Sequence, residues 1–300
     1  MTPDLRQLRS FVAVAERGSF TRAADDLYVA QQAVSQQVKA LEAALGVTLL
    51  WRTSRRVELT PAGKVFLADC RRVLAAADRA VRRVQEAARG EVGTLRIAYT
   101  LTAAWQTVPA LLSRLGERYP QLKAQAREVF AVDIPRLLHA GVSDVGIGPA
   151  TDYPEDLRQQ LIRLEPWRLA VGDKHPLADR VRLALRDISA EQVELWPREM
   201  TPGYYDAVMS ACRAAGFEPR LDKQGAGSTV WGSIAQGRGI GLVVASLAEQ
   251  PPSGVKLVDI APPAPPPLGI TAVWQPDGMH AAVGRLLETS TELAAEYGWA

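Results

Sequence analysis

The sequence predicts an α/β protein in three parts: an N-terminal winged helix-turn-helix, a long coiled-coil linker helix, and a two-lobed α/β clamp. Three observations carry that expectation. The first sixty residues hold three amphipathic segments with capping residues at their ends. Residues 61–90 keep an apolar seam at heptad spacing. From residue 91 onward, strand-like and helix-like segments alternate. Three hundred residues with 47% hydrophobic content also exceed the usual size of one packed core. The parts are expected at 1–60, 61–90 and 91–300, with the lobes of the clamp at about 91–164 plus 269–300 and at about 165–268.

Asp4 can cap a first helix whose apolar positions Leu5, Leu8, Phe11, Val12 and Ala15 follow helical spacing, with Gly18 as its stop. Ser19 can cap a second helix that turns Phe20, Ala23, Ala24 and Leu27 inward. Tyr28 and Val29 make a tight connection to a third helix expected from Gln31 to Ala44, closed by Gly46. Two short helices and a close turn before a third are the signature of a helix-turn-helix. On that third helix, Val34, Val38, Leu41 and Leu45 form a packing stripe, and Gln32, Ser35, Gln36 and Lys39 share the opposite face. Amides and hydroxyls of that length suit the reading of base edges, since Gln pairs bidentately with adenine. A merely solvated Gln-rich helix fits the same residues equally well.

The next segment shifts that balance. Leu49 to Arg52 and Val57 to Leu59 read as short strands around Thr53-Ser54-Arg55-Arg56, a wing whose arginines suit phosphate or minor-groove contact. Thr60 and Pro61 then open a long helix. Its seam is expected to be Phe66, Val73, Ala80 and Ala87 at one heptad position and Cys70, Ala77 and Val84 at the other, a dimerisation stripe on a rod about 42 Å long.

Beyond Gly90 to Gly93 the alternation begins. Strands are expected near Thr94 to Tyr99, Leu122 to Phe130 and Val142 to Gly148, and helices over Ala103 to Arg118 and Ile134 to Ala140, together a parallel sheet covered by helices. A second such unit is expected from Pro166, with Trp167 to Gly172 and Gly239 to Val244 as strands and Gly203 to Ala215 and Ser228 to Gln236 as helices. The proline-rich run from Ala261 to Pro267 returns the chain to the first lobe, where Gly269 to Trp274 and a last helix complete it.

The formal charge of +2 conceals an asymmetry. Residues 1–90 hold 15 Lys/Arg against 9 Asp/Glu, and residues 91–300 hold 20 against 24, so a basic module is joined to a mildly acidic one. That is the distribution expected when only the first part meets a polyanion. The N-terminus lacks the pattern of a secretory signal, and no apolar run reaches membrane-spanning length, which points to a cytoplasmic protein without a membrane partner. Cys70 and Cys212 fit neither a disulfide framework nor a metal site. His139, His175 and His280 stand apart from one another and from both thiols, and no P-loop or dinucleotide fingerprint occurs. An enzyme and a cofactor are therefore not expected. A solute-binding protein would share the clamp but has no use for a basic helix-turn-helix.

Phe20 to Leu27, Gln31 to Glu42, Leu45-Gly46, Leu49 to Arg52 and Thr60-Pro61-Ala62-Gly63 together resemble the DNA-binding motif of the LysR-type transcriptional regulators. His175-Pro176-Leu177-Ala178 and Gly237-Arg238-Gly239-Ile240-Gly241-Leu242 extend the resemblance over almost the whole chain. It implies a sequence-specific regulator of transcription that binds a double-stranded operator as a dimer, assembles to a tetramer, and works with RNA polymerase. By the resemblance, Gln31, Gln32, Ser35 and Gln36 fall where bases are touched, Arg52, Arg55 and Arg56 fall at the wing, and Arg22 and Lys39 fall at phosphates. Two positions depart from the pattern: Ala30 stands in place of a capping Ser, and Gln32 in place of Pro. The clamp resembles the family's effector domain, similar in fold to periplasmic substrate-binding proteins, with a small ligand between the lobes. Thr100-Leu101-Thr102 follows the first strand of the clamp and precedes a helix, so its hydroxyls and the first free N–H groups can hold a carboxylate, which favours an anionic ligand. Thr100, Thr102, Thr201, Pro202, Tyr204, Ser228 and Thr229 are its candidate contacts. Ala131 stands where aromatic-acid sensors of the family present a hydroxyl, a departure that counts against that ligand class. A regulator that binds DNA without a metabolite is the alternative.

Overall fold

Asp4 starts the chain's first helix in the computed structural model, which describes residues 3–52, 57–88, 93–221 and 229–299. Its carboxylate accepts from the N–H groups of Arg6 and Gln7, and the Gln7 side chain accepts from the Asp4 N–H, a reciprocal capping box that opens α1 (Leu5–Arg17). Gly18 ends α1 in the left-handed region at φ 59°. Ser19 caps α2 (Phe20–Leu27), and α3 (Gln31–Leu45) follows after Tyr28, which is itself left-handed at φ 53°. Phe11, Val14, Ala23, Val34, Val38 and Leu41 close into one core from which water is excluded, so the three helices hold each other by their apolar stripes. Arg17 pairs with Asp26 at 2.5 Å across α1 and α2.

Glu42 fastens the end of α3 to the wing. Its carboxylate accepts from the N–H groups of Leu49 and Leu50 at 2.9 and 3.1 Å, at the start of β1 (Leu50–Arg52). That strand pairs antiparallel with β2 (Val57–Leu59). Thr60 then caps α4 (Pro61–Ala88): its hydroxyl accepts from the Gly63 N–H at 2.9 Å and donates to the Thr48 carbonyl at 2.8 Å. Gly63 is required by close approach, because a Cβ there would stand 2.1 Å from the Leu49 carbonyl oxygen.

The expected seam of α4 needs correction at its N-terminal end. Cys70 is 1% exposed and lies with Leu67 in the core of the helix-turn-helix, while Phe66 packs on the same core with its ring centroid 5.6 Å from that of Phe11. Both side chains are used inside the protomer. A heptad count cannot separate two apolar faces of one helix, and here the first turns of α4 belong to the winged unit. Val73 and Val84 do face solvent, at 47% and 70% exposure, as does Ala80, with Ala77 half-buried.

The chain divides into two compact units, Met1–Ala88 with His139–Gly141, and Arg89–Leu138 with Val142–Ala300. In the second unit the order is β3 (Thr94–Tyr99), α5 (Leu101–Ala104), α6 (Thr107–Arg118), β4 (Lys123–Glu128), α7 (Asp133–His139), β5 (Val145–Pro149), β6 (Arg158–Glu165) and β7 (Trp167–Gly172). Then come β8 (Arg182–Leu183), β9 (Gln192–Val193), α8 (Pro202–Ala214), β10 (Arg220–Leu221), α9 (Thr229–Ala235), β11 (Gly241–Val244), β12 (Val255–Ile260), β13 (Leu268–Trp274) and α10 (Ala281–Tyr297). One lobe is built on a five-stranded sheet of order β4-β3-β5-β13-β6, the other on a four-stranded sheet of order β11-β7-β12-β8.

Neither sheet is all-parallel, contrary to the expectation. β3 runs parallel to β4 and β5, but β13 runs antiparallel to β5 and β6, and β7 runs antiparallel to β11 and β12. The chain crosses directly from β6 to β7 and returns from β12 to β13, so the strands beside the crossings enter their sheets against the local direction. Trp167 Nε1 donates to the Pro266 carbonyl at 2.8 Å and ties the two crossings together.

The helix expected over Ala103 to Arg118 is also broken, at Trp105 and Gln106. Pro109 explains the break. Lacking an N–H and clashing with the carbonyl four residues earlier, it cannot sit inside a helix running through Trp105, but it fits the first turn of α6. The break leaves Trp105 outside α6, as the cap that ends α5.

Candidate functional site

The α3 helix presents two opposite surfaces because its inner stripe is fully used. Val34, Val38 and Leu41 have no exposure, which leaves Gln31, Gln32, Gln36 and Lys39 exposed and Ser35 half-buried on the other side. Gln37 is withdrawn from that surface, since its carbonyl oxygen accepts from the Ser10 hydroxyl on α1. Gln31 accepts from Thr21 at 3.3 Å. No described residue bonds the side chains of Gln32, Gln36, Lys39 or the exposed Arg22, whereas Arg9, Arg17 and Arg71 are paired with Asp78, Asp26 and Glu16. Unpaired donors and acceptors of this kind, held out by a rigid underside, are what base edges and phosphates require. Tyr28, at the turn leading into α3, is 94% exposed.

The wing arginines Arg55 and Arg56 and the cleft candidate Ser228 lie outside the described residues, as do the side chains of Arg52, Ala87 and Thr229.

In the second unit a cleft of about 620 Å³ opens between the two sheets. Thr100, Thr102, Thr201 and Tyr204 line it, so four of the candidate contacts converge there. Pro202 is not among the lining residues; it opens α8 behind Thr201. The hydroxyls of Thr100 and Thr102 stand 2.8 Å apart, and one proton serves that bond, which leaves the second for a ligand. Tyr204 contributes its ring alone. It is buried, its hydroxyl donates to the Leu242 carbonyl, and burial pushes its pKa well above the usual phenol range.

Several lining residues escaped the sequence reading. Arg127, at the end of β4, has no described partner, and Arg136 on α7 is paired with Asp133 at 2.8 Å. Glu128 lines the cleft beside them. Trp105, Trp196 and Trp231 also line it, three of the chain's seven tryptophans. That concentration of a scarce residue was the available signal, but its members stand far apart along the chain. Among the described residues no cluster could hold a metal ion, and no described helix is long and apolar enough to cross a membrane.

Residues 5–64 match the family model of the bacterial regulatory helix-turn-helix protein, lysR family, and residues 88–295 match that of the LysR substrate binding domain. The chain is 35% identical over 263 residues to the HTH-type transcriptional regulator YnfL of Escherichia coli K12, covering 87% of this chain and 89% of that protein. It is 38% identical over 248 residues to the regulator TfdS of Cupriavidus pinatubonensis, covering 82% and 83%. Full-length CbnR, a LysR family regulator solved with its target DNA, superposes with a TM-score of 0.69 at 30% identity, covering 96% of this chain and 99% of that one.

Proposed function

The chain belongs to the LysR family of transcriptional regulators, and from that premise we propose that α3 reads operator bases while the cleft of the second unit holds a small anionic effector. The observation that carries the first half is the exposed glutamine face of α3 over a stripe with no exposure. In this reading Gln31, Gln32, Ser35 and Gln36 enter the major groove, Arg22 and Lys39 hold phosphates, and the wing with Arg52, Arg55 and Arg56 reaches the backbone or the adjacent minor groove. Residues 1–60 form the DNA-binding part, 61–90 the linker and 91–300 the effector part, with lobes at 91–164 plus 269–300 and at 165–268. The exposed apolar positions Val73, Ala80 and Val84 of α4 and half-buried Ala77, with Ala87 next in the heptad sequence, pair two protomers. A dimer places two recognition helices on neighbouring half-sites, and effector binding alters the relation of dimers within a tetramer that acts on RNA polymerase in the cytoplasm. The chain itself performs no catalysis.

The effector reading rests on a walled cleft of drug-like size with a Thr100–Thr102 hydroxyl pair and the unpartnered Arg127 on one side. Thr201 adds a third hydroxyl, and Ser228 and Thr229, the latter the first residue of α9, remain candidate contacts.

The test uses an operator selected from a random duplex pool. Gln36→Ala is expected to weaken binding to that operator by about tenfold or more and binding to random duplex by less than about twofold, because a lost base contact costs about 1–3 kcal/mol only where the base is right. Arg22→Ala is expected to weaken both and to reduce the salt slope by about one. Equal losses on operator and random DNA for Gln36→Ala would remove α3 from base reading.

A further inference from the structure

We propose that the ligand of the cleft carries a flat aromatic ring system besides its anionic group, and that Trp105, Trp196 and Trp231 hold the ring. The inference rests on the reading of the cleft as an effector site and names the chemistry of its occupant.

The cleft is divided by lobe. Its charges all belong to the five-stranded lobe, Arg127 and Arg136 with the acids Glu128 and Asp133, beside the Thr100 and Thr102 hydroxyls and apolar side chains that include Leu101, Phe130 and Leu137. The other lobe contributes Trp196, Tyr204, Trp231, Val243, Val244 and Leu247. An occupant that meets both walls turns its charged group to the five-stranded lobe, where all the charges are, and an apolar body to the uncharged wall of the other.

The tryptophans say what kind of body. They arise from three separate places, the break between α5 and α6, the segment after β9, and α9, yet all three pack on one small core that includes Ala170, Ile234, Val243 and Leu247. Trp105 reaches that core from the opposite lobe, so an indole bridges the cleft. Trp196 and Trp231 meet at 71° with centroids 5.6 Å apart, two walls of a corner that offers both a ring face and a ring edge. A flat ring gains from such a corner through stacked and edge-on contacts beyond its buried area. Among the described residues, nothing accepts from the three indole N–H groups, which leaves donors beside the aromatic surface. A saturated body of equal size would gain the burial and forgo the rest. A quaternary ammonium ion is the other ligand that indoles attract. It fits less well here, because Trp196 and Trp231 touch each other instead of standing across a cation-sized gap, and two arginines line the same cleft. Ala131 lies in the lining as well. It counts against an aromatic acid held through a hydroxyl at that position, whereas the tryptophan corner holds a ring by its face and edge and needs no hydroxyl there.

The test compares 2-naphthoate, its saturated counterpart decahydronaphthalene-2-carboxylate, and choline on the full-length protein, by calorimetric titration and by quenching of indole fluorescence. The naphthoate is expected to bind about tenfold more tightly than the saturated acid, the gain of one or two good ring contacts. Trp231→Leu is expected to remove most of that preference, and Trp105→Leu to do the same, in variants whose circular dichroism and thermal transition match the parent. Equal binding of the two acids, a preference that survives both substitutions, or tighter binding of choline would overturn the inference. If the ring preference fails while Thr100→Val still weakens both acids, the inference falls and the effector cleft stands. If neither acid binds at up to about 10 mM, the anionic-effector reading and the inference fall together.

Discussion

Ala30 occupies the N-cap of α3 with extended backbone, φ −67° and ψ 140°, and no side chain to accept from the first free N–H groups. The neighbouring helices do not share that omission: Asp4 and Ser19 accept from their own first turns. A hydroxyl at position 30 would find the cap geometry already in place, so Ala30→Ser is expected to stabilise the winged unit by about 1 kcal/mol. The measurement is urea denaturation followed by helical ellipticity, and an unchanged midpoint would mean that water satisfies those N–H groups equally well. At this scale the sequence was legible wherever a residue acts on its own backbone. Asp4, Gly18, Ser19, Gly46 and Thr60 all do what their types imply, because capping is decided within four residues. Glu42 was not legible in the same way: its carboxylate acts on Leu49 and Leu50, and only the folded path of the chain brings those N–H groups to it.

Helix α4 shows what a pattern of apolar residues can and cannot tell at the scale of an element. Its length and start were readable from Thr60, Pro61 and the seam, but the seam runs over two surfaces, one facing the protomer's own core at Phe66 and Cys70 and one facing outward at Val73, Ala80 and Val84. Substitutions should separate the two. Phe66→Ala removes a ring packed on Phe11 and is expected to cost the winged unit about 3 kcal/mol, seen as a lower thermal midpoint. Val73→Glu and Val84→Glu place charges on the outward face. They are expected to leave that midpoint within a few degrees while weakening self-association by about tenfold or more in sedimentation experiments. Unchanged association in the glutamate variants would assign the dimer contact to another surface. The break before α6 teaches the same lesson from the other side. Pro109 was visible in the sequence, and the rule against an interior proline dictates the interruption at Trp105 and Gln106, but that rule must be weighed against a strong helical period to be heard. The antiparallel entries of β7 and β13 lie beyond such rules, since strand direction follows from where the chain crosses between lobes.

Over the whole molecule, burial holds four weakly acidic groups in their neutral forms, and this sets a limit on alkaline stability. Cys70 in the winged unit has its thiol pKa pushed up to about 12, by burial first and by the charge of Asp69 second. Cys212 in α8 is pushed up to about 11 by burial and by Glu218. Tyr153 and Tyr204 are raised above the usual phenol range by burial alone. Both thiols are buried, and their raised pKa values favour the protonated form, the less reactive state of cysteine. The consequence for stability follows from proton linkage. Each of these groups binds its proton more tightly when folded than when unfolded, so its contribution is fully present below the unfolded pKa. It is lost as pH rises from about 9, where unfolded thiols ionise, towards the folded values. Between those limits the unfolded chain holds fewer protons than the native one, and stability should fall by about 1 kcal/mol per pH unit for each group still protonated only in the native state. Calorimetric midpoints taken at constant ionic strength should therefore hold steady between pH 7 and 8.5 and decline between 9 and 11. Cys212→Ala should flatten the decline in the transition of the second unit, and both thiols should resist a disulfide reagent at pH 8 until denaturant is added. Midpoints that stay level to pH 11, or thiols that react at once in the native protein, would show that these groups meet water in the folded state.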